Sequence, residues 1–185
     1  MNDSQEELAA AAMAAVTASG LGWHRSNHGP AAEDALASCE QRIEMALPSS
    51  YRDFLKHQNG VELGLDLAPF VRSYLTLLSS DEIAERTLEQ RAIANYSFPE
   101  ESFDGLIVFA DTMDGDVCLF DRSQERDGRV PVLAGHHEED PDLWRETVIA
   151  ADFDQWLRNV LLYVTEHGDH DDFRYWWARD WTVRS

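Results

Sequence analysis

The sequence predicts an α+β fold, a single domain in which an antiparallel β-meander packs against several helices. Three observations lead there. Helical patterns with signed ends fill the first half of the chain and return near its end. Strand-length apolar runs broken by Asp-Gly turns gather in one stretch between Leu106 and Leu133. No repeat, linker or second hydrophobic block divides the 185 residues, a length suited to one well-buried core. Strands joined by short turns are antiparallel, and their segregation from the helices marks the α+β class.

Ser4 to Ala18 reads as an Ala-rich helix, with Ser4 and Glu7 in a capping box and Gly20 as a stop. Its apolar stripe is thin. Gly20 to Pro30 is a turn-rich connector, and its Gly and Pro keep His24 and His28 off a common helical face. A helix from Ala32 to Ala46 places Leu36, Cys39, Ile43 and Ala46 at core spacing, with Glu33, Glu40 and Glu44 outside. It forms a helical hairpin with the next element, Leu47 to Gly60. There Pro48 suits the first helical position, and Asn59 and Gly60 tolerate the left-handed conformation that ends a helix. Tyr51, Phe54, Leu55 and Gln58 share one face, and Arg52, Asp53, Lys56 and His57 the other.

Val61 to Ser79 mixes turn residues with a short strand near Tyr74 to Leu78. Ser79 and Glu82 fit a second capping box, opening a helix that carries Ile83, Leu88 and Ile93 and breaks at Tyr96-Ser97-Phe98-Pro99. Leu106 to Phe109, Val117 to Phe120 and Arg129 to Leu133 form the meander, with turns at Asp114-Gly115 and Asp127-Gly128. A polar loop from His136 to Asp142 follows. Asp152 to Gln155 then caps a helix with Phe153, Trp156, Leu157, Val160, Tyr163 and Val164 on its buried side, ended by Gly168. The expected organisation is an N-terminal helix and connector over 1–31, the α+β domain over 32–168 and an aromatic-rich tail over 169–185 packed on it.

Fifteen basic against 35 acidic residues give a formal charge of −20. Such a surface repels phosphate backbones and anionic lipid heads, so direct nucleic-acid or membrane binding is not expected. It attracts a basic protein partner and speeds their encounter. Cys39 and Cys118 have no metal or redox spacing, and Cys118 lies in an apolar core run. The acidic start lacks the positive charge of a signal peptide, and no apolar run reaches the ~20 residues of a spanning helix. The expected location is the cytoplasm.

No residue pattern points to catalysis or a cofactor. There is no G-x-S-x-G, activated Cys or glycine-rich phosphate loop. The turn acids Asp111, Asp114 and Asp116 follow D-x-x-D-G-D, which fails the calcium-loop template and suits hairpin hydrogen bonding. His136-His137 beside Glu138-Glu139-Asp140 offers ligand chemistry, yet adjacent side chains rarely point the same way. His167, Asp169 and His170 flank the helix-breaking Gly168. No metal is expected at any of these places. The candidate partner-binding residues are Asp111, Asp114, Asp116, Glu138, Glu139 and Asp140, with Trp176 and Trp177 from the tail, whose aromatic and Arg content is typical of interface hot spots. The simpler readings are solvated turns, and a tail folded over the domain's own sheet.

Five blocks resemble the SUKH superfamily, which includes bacterial immunity proteins and related yeast cell-wall synthesis regulators. They are Leu47-Pro48 with Tyr51, Phe54-Leu55 and Asn59-Gly60, then Ser79 to Ile83, then Phe109-Ala110-Asp111 with Gly115-Asp116 and Phe120-Asp121. Pro131-Val132, and Phe153 with Trp156-Leu157, complete the order. Thr112-Met113 stand where members often carry more acid or glycine. The resemblance covers roughly Glu33 to Leu162 and implies one α+β domain that acts by binding rather than catalysis. It implies an immunity protein neutralising a cognate toxin, a basic nuclease for instance. The alternative it implies is a regulatory interaction module of the cell-wall-regulator type.

Overall fold

This computed structural model describes residues 22–25, 29–67, 70–112 and 115–167. The described order is β1 (Gly22–Arg25), α1 (Glu33–Arg42), α2 (Ser49–His57), β2 (Val61–Leu67), β3 (Phe70–Leu77), α3 (Ser80–Ser97) and β4 (Leu106–Thr112). Then come β5 (Val117–Asp121), β6 (Val132–Gly135), α4 (Pro141–Trp144), β7 (Val148–Ala150) and α5 (Phe153–His167). The strands make one seven-stranded sheet in sequence order, and every neighbouring pair is antiparallel. The α+β class with a meander packed on helices is therefore as expected, but the meander is longer than the three strands predicted.

Four departures are local. The connector predicted for Gly20 to Pro30 contributes β1, which pairs with β2. The stretch predicted to hold one short strand is the β2–β3 hairpin, bulged at Leu63/Gly64. Gly64 and Asp66 are poor strand formers, so the run reads as turn when viewed alone. On α3, Ile83 is buried, but Leu88 and Ile93 are 43% and 50% exposed. Residues five apart are about 140° apart on a helix. The face that packs is instead Ile83, Ala84, Thr87 and Ala94. Ala46, also predicted for the core, lies exposed beyond the end of α1, where Glu44 turns the chain at a φ of 56°.

That small-residue face of α3 lets the helix approach the sheet closely. β3 pairs with β4 only from Ala110 to Thr112. Beyond that point α3 takes over the free edge: Val108 N–H donates to Thr87 Oγ1 at 3.0 Å, and Arg91 Nε donates to the Leu106 carbonyl at 2.9 Å. Arg91 also donates to the Ile43 carbonyl at the end of α1. The start of α3 is the predicted box, with Ser79 N–H 2.8 Å from Glu82 Oε2.

The core forms where α2 and α5 cover β4 and β5. Tyr51 is fully buried, its ring 5.3 Å from Phe109, 5.4 Å from Phe120 and 4.8 Å from Phe153. Phe109 stacks on Phe120 at 4.3 Å and meets Trp156 edge-on at 4.9 Å. Such pairs add to the burial term because ring edges and faces carry opposite partial charge. Pro48 is the residue preceding α2 rather than its first, a shift of one position. α2 stops at an extended Gln58, and Gly60 takes a φ of 87°. A Cβ on Gly60 would meet Ser79 N at 3.0 Å, while Asn59 Oδ1 accepts the Ser80 N–H at 2.8 Å. The Asn-Gly pair thus docks the end of α2 against the start of α3.

Both thiols lie in this core, Cys39 1% and Cys118 0% exposed. Burial pushes the Cys39 thiol up to about 12 and raises Cys118 further from the reactive range. A colorimetric thiol reagent at pH 8 is expected to find neither thiol in the native protein and both after unfolding in urea.

Candidate functional site

In an antiparallel meander, alternate connections emerge at the same end of the sheet. The β4–β5 turn and the loop leaving β6 are therefore neighbours, although 21 residues separate Asp116 from His137. Three hydrogen bonds build the turn: Thr112 N–H to the Asp116 carbonyl at 2.8 Å, Gly115 N–H to the Thr112 carbonyl at 3.2 Å, and Asp116 N–H to Thr112 Oγ1 at 3.0 Å. Gly115 sits at a φ of 93°, which a residue with a Cβ rarely adopts.

The loop after β6 is equally tied down. Its Gly135 admits no side chain, because a Cβ there would stand 2.8 Å from Val117 and 2.9 Å from the Trp144 ring. Trp144 Nε1–H donates to the His136 carbonyl at 3.2 Å, and Glu139 N–H donates to the same carbonyl at 3.0 Å. Pro141 opens α4 just after Asp140. Glu138, Glu139 and Asp140 are left exposed at the bend. Among the described residues, Glu139 and Asp140 form no ion pair.

The turn acids differ in their surroundings. Asp116 is 2% exposed, and its Oδ1 accepts the His137 N–H at 2.9 Å while lying 2.6 Å from His137 Nδ1. Its charge is directed into the protein and joins the two loops. Asp111 is partly exposed, with Arg86 Nε of α3 at 3.2 Å, an ion-pair distance without hydrogen-bond alignment. Burial pushes the Asp111 carboxyl up, Arg86 opposes this, and Glu82 and Glu89 reinforce it. Asp114, Trp176 and Trp177 lie outside the described residues.

The edge therefore gathers Asp111 with Glu82 and Glu89 of α3, and Asp116 with the Glu138–Asp140 bend. The α3 acids were not among the predicted site residues, although their helical spacing from Arg86 was available as a signal. Asp121, the last acid of the meander motif, has a structural task instead. It is fully buried, capping the following 3₁₀ turn through the Ser123 N–H at 2.9 Å, with Arg145 Nε 3.4 Å away. At the opposite end of the sheet, a cleft of about 590 Å³ is lined by Gln124, Arg126, Asp127, Arg129, Pro131 and Ala151.

Asp111 carries a pH dependence whose sign follows from its raised pKa. The folded state holds this proton more tightly than the unfolded chain, so stability falls as pH rises from the ordinary carboxylate value through the raised one. Asp111→Asn is expected to flatten that part of the profile, read from urea midpoints measured across mildly acidic pH.

No described helix is long and apolar enough to cross a membrane. Among curated proteins, none matches the chain. The family model described as SMI1 / KNR4 family (SUKH-1) matches residues 30–159, well over half of the chain and all of the site just described. The motif order from Leu47 to Leu157, the helix-covered meander and this match agree: the chain belongs to the SMI1/KNR4 family, SUKH-1.

Proposed function

We propose that this chain is an immunity protein that neutralises a cognate secreted bacterial toxin by direct binding in the cytoplasm, with no reaction of its own. The observation that carries this reading is the convergence of the β4–β5 turn and the loop after β6 into one acidic edge. Family membership supports action through protein–protein contact. The backbone that carries the acids of this edge is held by turns and hydrogen bonds, so a partner need not order it on binding. A basic nuclease is the partner class that fits, because exposed carboxylates can occupy the groove in which it holds phosphates. The charge of −20 steers such a partner toward the edge and excludes nucleic acid itself.

A second reading rests on the family description, which names SMI1 and KNR4. Under it the chain is a regulatory interaction module of the cell-wall-regulator type, with an endogenous partner. A deletion strain separates the two. Loss of survival beside toxin-producing neighbours, restored by the intact gene, is the outcome for an immunity protein. Unchanged survival with a misbuilt wall would replace that reading with the regulatory one.

A further inference from the structure

The expectation that His136 and His137 diverge does not hold. Their rings stack, with centroids 5.0 Å apart and planes 15° from parallel. Both lie over Asp116, with His137 Nδ1 at 2.6 Å and His136 Nδ1 at 3.9 Å from Oδ1. One ligand atom from each of the three residues falls within a 4.8 Å span. We infer that Asp116, His136 and His137 form a binding site for a zinc-class divalent transition-metal ion.

The chemistry and the setting both favour that ion. Two imidazoles and a carboxylate are a borderline-soft donor set, suited to zinc, cobalt or nickel, whereas magnesium and calcium prefer all-oxygen shells. Zinc bonds of ~2.0–2.1 Å at tetrahedral angles place ligand atoms about 3.3 Å apart. The observed 2.6 and 3.9 Å bracket that separation.

The Glu138 N–H lies 3.3 Å from His136 Nδ1 and donates to it. This places a lone pair on the very nitrogen that faces Asp116. Asp116 is 2% exposed, so water solvates its charge poorly and a bound cation compensates it. The surroundings already fix the carboxylate through the His137 N–H, and fix the His136 backbone through the Trp144 indole. Such supporting bonds orient ligands in metal sites.

Ligation asks for a modest rearrangement. The rings tilt so that their lone pairs converge, and the His137 Nδ1–Asp116 and Glu138 N–H–His136 Nδ1 hydrogen bonds give way to three metal bonds. The displaced proton passes to Nε2 or to solvent, so binding weakens in acid. The side chains of His136 and His137 are 36% and 43% exposed, which gives them room to move and leaves a coordination position facing water. Glu138, with Oε1 4.0 Å from His137 Nε2, stands beside that position. A bound ion would clamp the β4–β5 turn to the loop after β6.

The test uses the full chain without an affinity tag, stripped with a chelator and titrated calorimetrically with zinc chloride at neutral pH. One equivalent is expected to bind, and magnesium chloride is expected not to compete. His136→Ala is expected to reduce zinc affinity on the order of tenfold or more, with an unchanged melting temperature in the absence of metal. His136 was chosen because its ring makes no hydrogen bond to Asp116, so the hydrogen bond joining the loops survives. His167→Ala/His170→Ala is expected to bind zinc as the parent does. Cobalt in place of zinc is expected to give the visible absorption of a tetrahedral site, lost in His136→Ala. Absence of stoichiometric zinc would overturn the site, as would undiminished affinity in both His136→Ala and His137→Ala. Transfer of the loss to the His167/His170 variant would overturn it too.

Discussion

Tyr51→Ala is expected to lower the unfolding free energy by about 3–5 kcal/mol, a large part of what a domain of this size holds. The ring is fully buried and touches α2, β4, β5 and α5 through Phe54, Phe109, Phe120 and Phe153. Its hydroxyl lies 3.2 Å from the Leu78 carbonyl and 3.3 Å from that of Phe109. The single proton serves only one at a time, and the Phe109 carbonyl also receives the Leu78 N–H at 2.9 Å. Tyr51→Phe is therefore expected to cost only about 1 kcal/mol. Equilibrium urea denaturation of both variants measures the ratio. Equal losses would show that the hydroxyl, and not the ring, carries the packing of α2 on the sheet.

The largest functional effect is expected from reversing charge at the bend after β6. Glu138→Lys/Glu139→Lys/Asp140→Lys should weaken binding of a basic partner by about 10–100-fold, chiefly through slower association, and make the remaining affinity less sensitive to salt. Fold stability should change little, since these side chains are exposed and Glu139 and Asp140 have no ion-pair partner among the described residues. Surface plasmon resonance at two salt concentrations separates association from dissociation. Unchanged kinetics with a correctly folded variant would move the interface to another face. The outer side of α3, where Tyr96 is 89% exposed and Leu88 and Ile93 are about half exposed, would be the next place to mutate.

The helical part of this architecture was legible because large apolar residues at spacings of three and four dictate which side of a helix packs. Tyr51, Phe54 and Leu55 on α2, and Phe153, Trp156 and Leu157 on α5, are buried as that rule requires. The rule failed on α3 because, beyond Ile83, its packing face is made of Ser, Ala and Thr. Small residues carry little hydropathy signal, yet here they permit the close approach that caps the β4 edge. β1 and β2 were missed, and only the end of β3 was expected, for a related reason. These strands contain Gly64 and Asp66 and draw their hydrogen bonds from distant neighbours, so local propensity understates them. Of the site, the acids could be named from the sequence but not their arrangement. That Asp116 turns inward, and that His136 and His137 face the same way, depends on a register between β5 and β6 in which Val117 opposes Gly135. Only the assembled sheet supplies that register.

The most direct measurement is capture of partners by the tagged full chain from its native cytosol, washed at low and moderate salt, with mass spectrometric identification. Recovery of a basic toxin domain whose retention weakens as salt rises is the expected result. Recovery of wall-synthesis or signalling proteins, held equally at both salt concentrations, would contradict toxin neutralisation through the acidic edge.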